Sequence, residues 1–316
     1  MREILAKPVV RRLVQLLFSA AILYVLLNDV DASGVMDTLK KGSIGWLLAA
    51  IGIKTSALLV HEGRLWLALP KPRPPVKTVV SLGLAAGVLN LALPARAGDL
   101  AAIAFMEREC NVPPSVGTAA VGVTSFLEAA LFGFFLLAVI GLGAAQWSHL
   151  VGDGSTAALW IALGIGLGCL VLLAMALLGK HWSNQDHSST SILGFVQRTV
   201  VETSAAVRDA RYLGIQTSAA ALQVVLVVAA FSLAVPASGA DLADPIAAAS
   251  FVLGISSLAA FVLPPTMAAG PAAASTLVLP LFGASTSTAL AYAVCYWLVA
   301  HIPAMVMGLP ALFARR

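Results

Sequence analysis

Polar residues are sparse along this chain and fall in short clusters, leaving long apolar runs between them. The runs cover roughly residues 12–28, 44–69, 78–94, 114–143, 157–179, 213–235, 246–263, 266–283 and 285–312. A helix needs about 20 apolar residues to cross the hydrocarbon core of a bilayer. The pattern therefore predicts an all-α polytopic membrane protein. Run 78–94 is the short one and ends at Pro94.

Basic residues collect on the cytoplasmic side of membrane helices, and that rule orients the chain. Arg2, Lys7, Arg11 and Arg12 place the N-terminus inside. Run 12–28 leads out and run 44–69 leads back, so Lys71, Arg73 and Lys77 fall inside. If 78–94 crossed fully, Lys180, Arg198, Arg208 and Arg211 would lie outside, against the rule. If residues 78–112 instead dip in and return, those residues lie inside, as do Arg315 and Arg316. The expectation is about eight transmembrane helices plus re-entrant broken helices in one integral membrane domain, 1–316, with both termini cytoplasmic. A signal peptide would also begin with basic residues and an apolar run. Here Asn28-Asp29-Val30-Asp31 follows in place of a small-residue cleavage site, so the first run is expected to stay as a span.

Residues 192–211 read differently. Ile192, Phe195, Val196, Val200 and Val207 recur at helical spacing, with Arg198 and Glu202 four apart and Arg208 and Arg211 beyond. This predicts an amphipathic helix on the cytoplasmic membrane surface, the alternative being a solvated linker helix. A faint repeat adds to the picture. Leu93-Pro94-Ala95-Arg96-Ala97-Gly98 recurs loosely as Leu263-Pro264-Pro265 with Gly270-Pro271 soon after. Proline- and glycine-broken helices at matching places in two halves are a mark of transporters, although chance similarity is open in so alanine-rich a chain.

Composition narrows the class. Hydrophobic residues make up 59% and charged residues only 11%, against about 25% charged in soluble domains. That excludes a disordered chain and an ordinary soluble enzyme. A net charge of +4 is too small to suggest nucleic acid. Cys110, Cys169 and Cys295 are far apart, which suggests neither a disulfide framework nor a thiolate metal site. No phosphate-binding glycine loop is present, so ATP hydrolysis is not expected, and no cofactor is implied.

The densest polar stretch near membrane depth is Asn90-Leu91-Ala92-Leu93-Pro94-Ala95-Arg96-Ala97-Gly98-Asp99. Pro94 interrupts a helix and Gly98 permits a turn. Arg96 has the fork to hold a phosphate, and Asp99 could orient it. An ordinary loop with an Arg–Asp pair is the alternative. Glu128 lies near the middle of run 114–143, where an ionised carboxylate costs about 2.5–3.5 kcal/mol. It is a candidate for proton coupling or for meeting a headgroup amine, and otherwise a neutral glutamate bonded to a neighbouring helix. In run 44–69, Lys54 and His61 are seven residues apart and share a face. His61, Glu62 and Arg64 are candidates to line a lipid path, though Arg64 near the helix end is also explained by snorkelling. His61-Glu62-Gly63-Arg64-Leu65 lacks the second histidine of a zincin. His301 and Gln223 read as helix-packing partners.

Residues 90–99 and the following Leu100–Phe105 resemble the motif of the lysylphosphatidylglycerol synthase transmembrane region, the flippase-like domain family. That motif reads Asn-Leu, two apolar residues, Pro-(Gly/Ala)-Arg-x-Gly-(Glu/Asp). Ser125-Phe126-Leu127-Glu128 is similar to the family's glutamate in an apolar helix, and the stretch from Leu263 through Gly270 and Gly283 to Tyr296, Pro303 and Gly308 looks like its last third. Ala129, Phe132 and Trp297 stand where the family usually has Arg, Asp and Arg, and the late glycine motif lacks its glutamate. These departures touch the substrate more than the fold.

The resemblance implies an eight-helix unit that moves lipid between leaflets of the cytoplasmic membrane. Its best-understood members move aminoacylated phosphatidylglycerol made by a fused domain. With 316 residues there is no room for that domain here, so no aminoacyl transfer is expected. The implied partners are membrane lipids, either an anionic phospholipid or a polyprenyl-phosphate-linked lipid, with a lipid-modifying enzyme as a further candidate. Two other classes compete. One is a glycosyltransferase using polyprenyl-phosphate sugars, for which Asp29 and Asp31 in the first outer loop would hold metal and phosphate. The other is a non-catalytic partner of an envelope enzyme, contacted through residues 192–211.

Overall fold

The computed structural model describes residue 24 and residues 31–92, 97–151, 155–182, 191–259 and 268–315. Run 12–28, the prolines at 94, 264 and 265, Arg96 and Asp29 lie outside the described residues. Within them the chain is helical, with no strand. The helices are α1 (Ala32–Lys41), α2 (Ile44–Ala68), α3 (Val76–Ala92), α4 (Ala97–Cys110), α5 (Pro114–Val151), α6 (Ser155–Trp182), α7 (Ile192–Arg208), α8 (Ala210–Ala237), α9 (Pro245–Ala259), α10 (Ala269–Val278) and α11 (Thr286–Phe313). A 3-10 turn, Leu279–Phe282, joins α10 to the last helix.

Short polar side chains set the boundaries. Asp31 accepts from the Ser33 amide at 3.0 Å and starts α1. Asp244 does the same for α9 through the Ala247 amide at 2.9 Å, and Ser285 for α11 through the Thr288 amide at 3.1 Å. Each satisfies an amide that the first helical turn leaves open. Asp209 divides two helices: its backbone is extended, ending α7 at Arg208, and its carboxylate accepts from the Tyr212 amide at 3.0 Å to start α8. The amphipathic helix expected over 192–211 therefore stops at Arg208, and Arg211 belongs to α8.

Five helices among the described residues are long and apolar enough to cross a membrane: α2, α5 over Pro114–Leu142, α6 over Leu163–Trp182, α8 and α11. The two expected crossings at 246–263 and 266–283 are seen as the 15-residue α9 and the 10-residue α10. Residues 260–267 between them lie outside the described residues, and the 3-10 turn carries the second apolar segment on to Phe282. The expected outer loop at 144–156 is also shorter than predicted, because α5 continues to Val151; Ala144, Ala145 and Gln146 are good helix formers with no proline among them. Leu163, Leu167, Leu170, Leu173 and Leu177 of α6 are exposed. In water such a face would drive aggregation, and in lipid it is the ordinary outer surface.

The chain forms two units. The first comprises Met1–Ser56, Ala85–Asp99 and Leu226–Arg316. Its helices meet through small residues: Ala247, Ala248 and Ala249 of α9 and Ala269, Gly270, Ala272 and Ala274 of α10 are all buried. Between helices in lipid, close approach of such residues supplies the attraction that water expulsion supplies elsewhere. Phe231 stacks on Tyr296 with centroids 4.2 Å apart, and the Tyr292 hydroxyl donates to the Phe231 carbonyl at 3.2 Å. The end of α1 seats on the end of α8, where Gly239 holds φ +81° and any Cβ would stand 2.1 Å from the Thr38 carbonyl oxygen.

The second unit comprises Ala57–Leu84 and Leu100–Val225. Its core gathers Leu65 of α2, Leu69 just beyond its end, Val79 and Leu82 of α3, Met106 of α4, and Val116 and Ala120 of α5. Here α7 packs on α6, where the Ser204 hydroxyl donates to the Ala176 carbonyl at 2.9 Å. Gly179 makes room for that contact: a Cβ there would lie 2.2 Å from Ser204 Cβ.

Candidate functional site

Arg64 is the centre of a polar network inside the second unit. It sits more than five turns into α2, and its side chain is only 1% exposed. Its Nη1 donates to Gln223 Oε1 at 2.6 Å. Its Nη2 donates to the Thr124 carbonyl at 2.7 Å. Thr124 can offer that oxygen although it lies within a helix, because a carbonyl has a second lone pair beyond its helical bond. Gln216, one face of α8 with Gln223 (seven residues apart), donates to the Arg64 backbone carbonyl at 2.9 Å. The guanidinium does not snorkel toward an interface. It is held in place by Gln223 and the Thr124 carbonyl, while Gln216 bonds the Arg64 backbone.

His61 and Glu128 complete the network on its more open side. His61 Nδ1 lies 3.2 Å from Glu128 Oε2, and Arg64 Nη1 lies 3.7 Å from the same oxygen. The two side chains are 28% and 32% exposed. Gln223 Nε2 approaches the same His61 nitrogen at 3.3 Å. The residues that meet here are thus His61 and Arg64 from α2, Glu128 and Thr124 from α5, and Gln216 and Gln223 from α8. His61, Arg64 and Glu128 were expected site residues. Gln223 was read as a packing residue, and nothing marked Thr124, whose contribution is a backbone oxygen.

Glu62 points elsewhere. It is 3% exposed and lies over Gly83 of α3: a Cβ built on Gly83 would stand 1.6 Å from Glu62 Oε2. Only a residue without a side chain leaves space for that carboxylate. It bears on the network through its charge, which acts on His61.

The second expected cluster lies in the first unit. Asn90 Nδ2 donates to Asp99 Oδ1 at 2.8 Å, joining the end of α3 to the start of α4. Gly98 is the point of closest approach, because a Cβ there would lie 2.2 Å from the Ala86 carbonyl oxygen. The two short helices on either side of residues 93–96 thus form a tight pair held by Asn90, Gly98 and Asp99. Pro94 and Arg96 belong to the same motif but fall outside the described residues. The chain matches the family model described as the lysylphosphatidylglycerol synthase TM region over residues 12–308. It belongs to that family. No curated protein matches it.

Membership in the lysylphosphatidylglycerol synthase transmembrane family makes this a multi-pass membrane domain. The remaining candidates have local roles. Asp31 is engaged at the start of α1, where hydrogen bonds from the Ser33 hydroxyl and from the Gly34 and Ser33 amides hold its carboxyl below the usual range. Helix capping accounts for that residue without a metal. His301 Nδ1 donates to the Trp297 carbonyl at 2.8 Å, and its ring stacks on Trp297 at 4.6 Å, both contacts within α11. Lys54 lies over the Phe231 ring at 6.0 Å, in the first unit. Among the described residues no group of three His, Cys, Asp or Glu side chains is arranged to hold a metal.

Proposed function

We propose that this chain moves a phospholipid or a lipid-linked headgroup between the leaflets of the cytoplasmic membrane, without changing it chemically. The observation that carries the reading is the Arg64–Gln223–His61–Glu128 network. Ionisable groups inside apolar spans are costly and mark substrate or ion pathways. Here the cost of the buried guanidinium is offset by two acceptors, Gln223 Oε1 and the Thr124 carbonyl, while His61 and Glu128 are left partly open. An open carboxylate and imidazole suit a polar headgroup or its counter-cation.

The phosphate of an anionic phospholipid or a polyprenyl-phosphate lipid needs a cation, and Arg96 in the family motif is the residue proposed for it. Asn90 and Asp99 hold the helices that flank it. The positive-inside pattern supports cytoplasmic termini. Leaflet exchange in liposomes tests the reading. Labelled phosphatidylglycerol, aminoacyl-phosphatidylglycerol and a polyprenyl-phosphate sugar are incorporated in turn, and the outer leaflet is quenched chemically. Wild type is expected to lose protected label, and Arg96→Ala and Glu128→Gln to retain it. A flat trace for every lipid from folded wild type refutes translocation and favours a role as the membrane partner of an envelope enzyme.

A further inference from the structure

The network has one nitrogen with two incompatible neighbours. Arginine only donates, so the Gln223 atom 2.6 Å from Arg64 Nη1 is the amide oxygen. The amide group of Gln223 therefore turns its NH2 toward His61 Nδ1, at 3.3 Å. That arrangement asks Nδ1 to accept. Glu128 Oε2, at 3.2 Å from the same nitrogen, is an acceptor when ionised and asks Nδ1 to donate. Both neighbours match the same state of the nitrogen only when Glu128 carries a proton, its hydroxyl and the Gln223 amide then sharing the single lone pair of a bare Nδ1. With Glu128 ionised, the proton on Nδ1 satisfies the carboxylate and faces the Gln223 NH2.

The charges point the same way. Arg64 from α2, Glu62 from α2 and Glu128 from α5 sum to one negative charge with His61 neutral, and one added proton makes the cluster neutral. Tyr212 of α8 also faces Arg64, and Arg73 lies near Tyr212. Neither offers a carboxylate to take that proton. The guanidinium cannot supply or lose it, because arginine stays protonated. Its fork is also committed to neutral oxygens rather than gripping Glu128 in both prongs. Arg64 is 1% exposed, so the counter-charge is fixed, while the His61 and Glu128 side chains are 28% and 32% exposed.

We propose that His61 and Glu128 form a single-proton binding site, and that proton uptake and release there drive lipid movement. The proton adds to the pair from one side of the membrane and leaves to the other, with Arg64 as the permanent counter-charge and Gln223 as the group that orients the imidazole. The proposal rests on the lipid-translocation reading, and two measurements separate them.

Infrared difference spectra of the purified full chain, acidified from about pH 8 to about pH 5, read proton binding without any lipid transport. A protonated-carboxyl band is expected in wild type, sensitive to exchange into heavy water. It is expected to vanish in Glu128→Gln, to move in His61→Gln, and to appear only at lower pH in Glu62→Gln, which removes one negative charge from the cluster. Absence of the band in wild type, or its survival in Glu128→Gln, overturns the site. The His61→Gln shift decides the matter if Glu128→Gln fails to fold. In liposomes, an acid-outside gradient is expected to change the rate of label loss severalfold, with collapse by a protonophore. A band with exchange that ignores the protonophore overturns the coupling. A band with no exchange of any lipid leaves the proton site standing and overturns translocation.

Discussion

Replacing Gln223 by leucine gives opposite results depending on whether this residue packs helices or holds Arg64. The two side chains are close in size, and leucine is the more favourable residue in an apolar span. If Gln223 only packs, Gln223→Leu is neutral or slightly stabilising. In the structure, the change removes a 2.6 Å bond from a charged donor, with Arg64 1% and Gln223 4% exposed. Loss of a hydrogen bond to a buried charge costs about 1.5–3 kcal/mol. The contact to His61 adds little, because that side chain is partly exposed and solvent can replace the amide. The expected result is a net loss, at most about 1.5–3 kcal/mol and smaller by what the apolar leucine gains.

Thermal unfolding of the detergent-purified chain, followed by tryptophan emission, reads this as a lower midpoint. Arg64→Met is expected to cost more, because it orphans the buried Gln223 Oε1 and also removes the second hydrogen bond of the Thr124 oxygen. The double variant Arg64→Met/Gln223→Leu is expected to cost less than the sum, since an apolar pair replaces a polar one. A Gln223→Leu midpoint at or above wild type, with strict additivity in the double variant, refutes the network as described.

Gly98→Ala forces a Cβ to within 2.2 Å of a backbone oxygen, so α3 and α4 must separate; a loss of about 1–3 kcal/mol is expected from overpacking, and Asn90→Ala will not rescue it in the same unfolding assay. Gly83→Ala clashes instead with the end of the Glu62 side chain, so Glu62→Ala in the same chain is expected to recover most of the loss; no recovery would show that Glu62 does not occupy the space over Gly83. Burial raises the Glu202 carboxyl above its ordinary value on α7. Its favourable contribution is therefore full at acid pH and fades as pH rises through the raised value, so Glu202→Gln is expected to stabilise the chain at neutral pH and to lose that advantage on acidification. A constant difference across pH would count against it.

The lengths of the apolar runs determined the helices of this protein and its solvent, because a helix in lipid must satisfy its backbone within itself and needs little else from the rest of the chain. The residues of the 90–99 motif carried the family, and charge counts in the loops gave only an expected orientation. His61, Glu62, Arg64 and Glu128 were also legible as candidates, since any ionisable group in an apolar run stands out. Their arrangement was not. Arg64 and Gln223 are 159 residues apart and Arg64 and Thr124 are 60 apart, and no local pattern encodes which face of one helix meets which face of another. Near the end of α2, snorkelling and burial are equally consistent with an arginine, and only the packing of α5 and α8 around it decided for burial. The same packing turned Gln223 from an unremarkable amide into the partner of a buried charge. It also separated Glu62 from the network, one residue along the helix and about 100° around it, and gave it a place over Gly83.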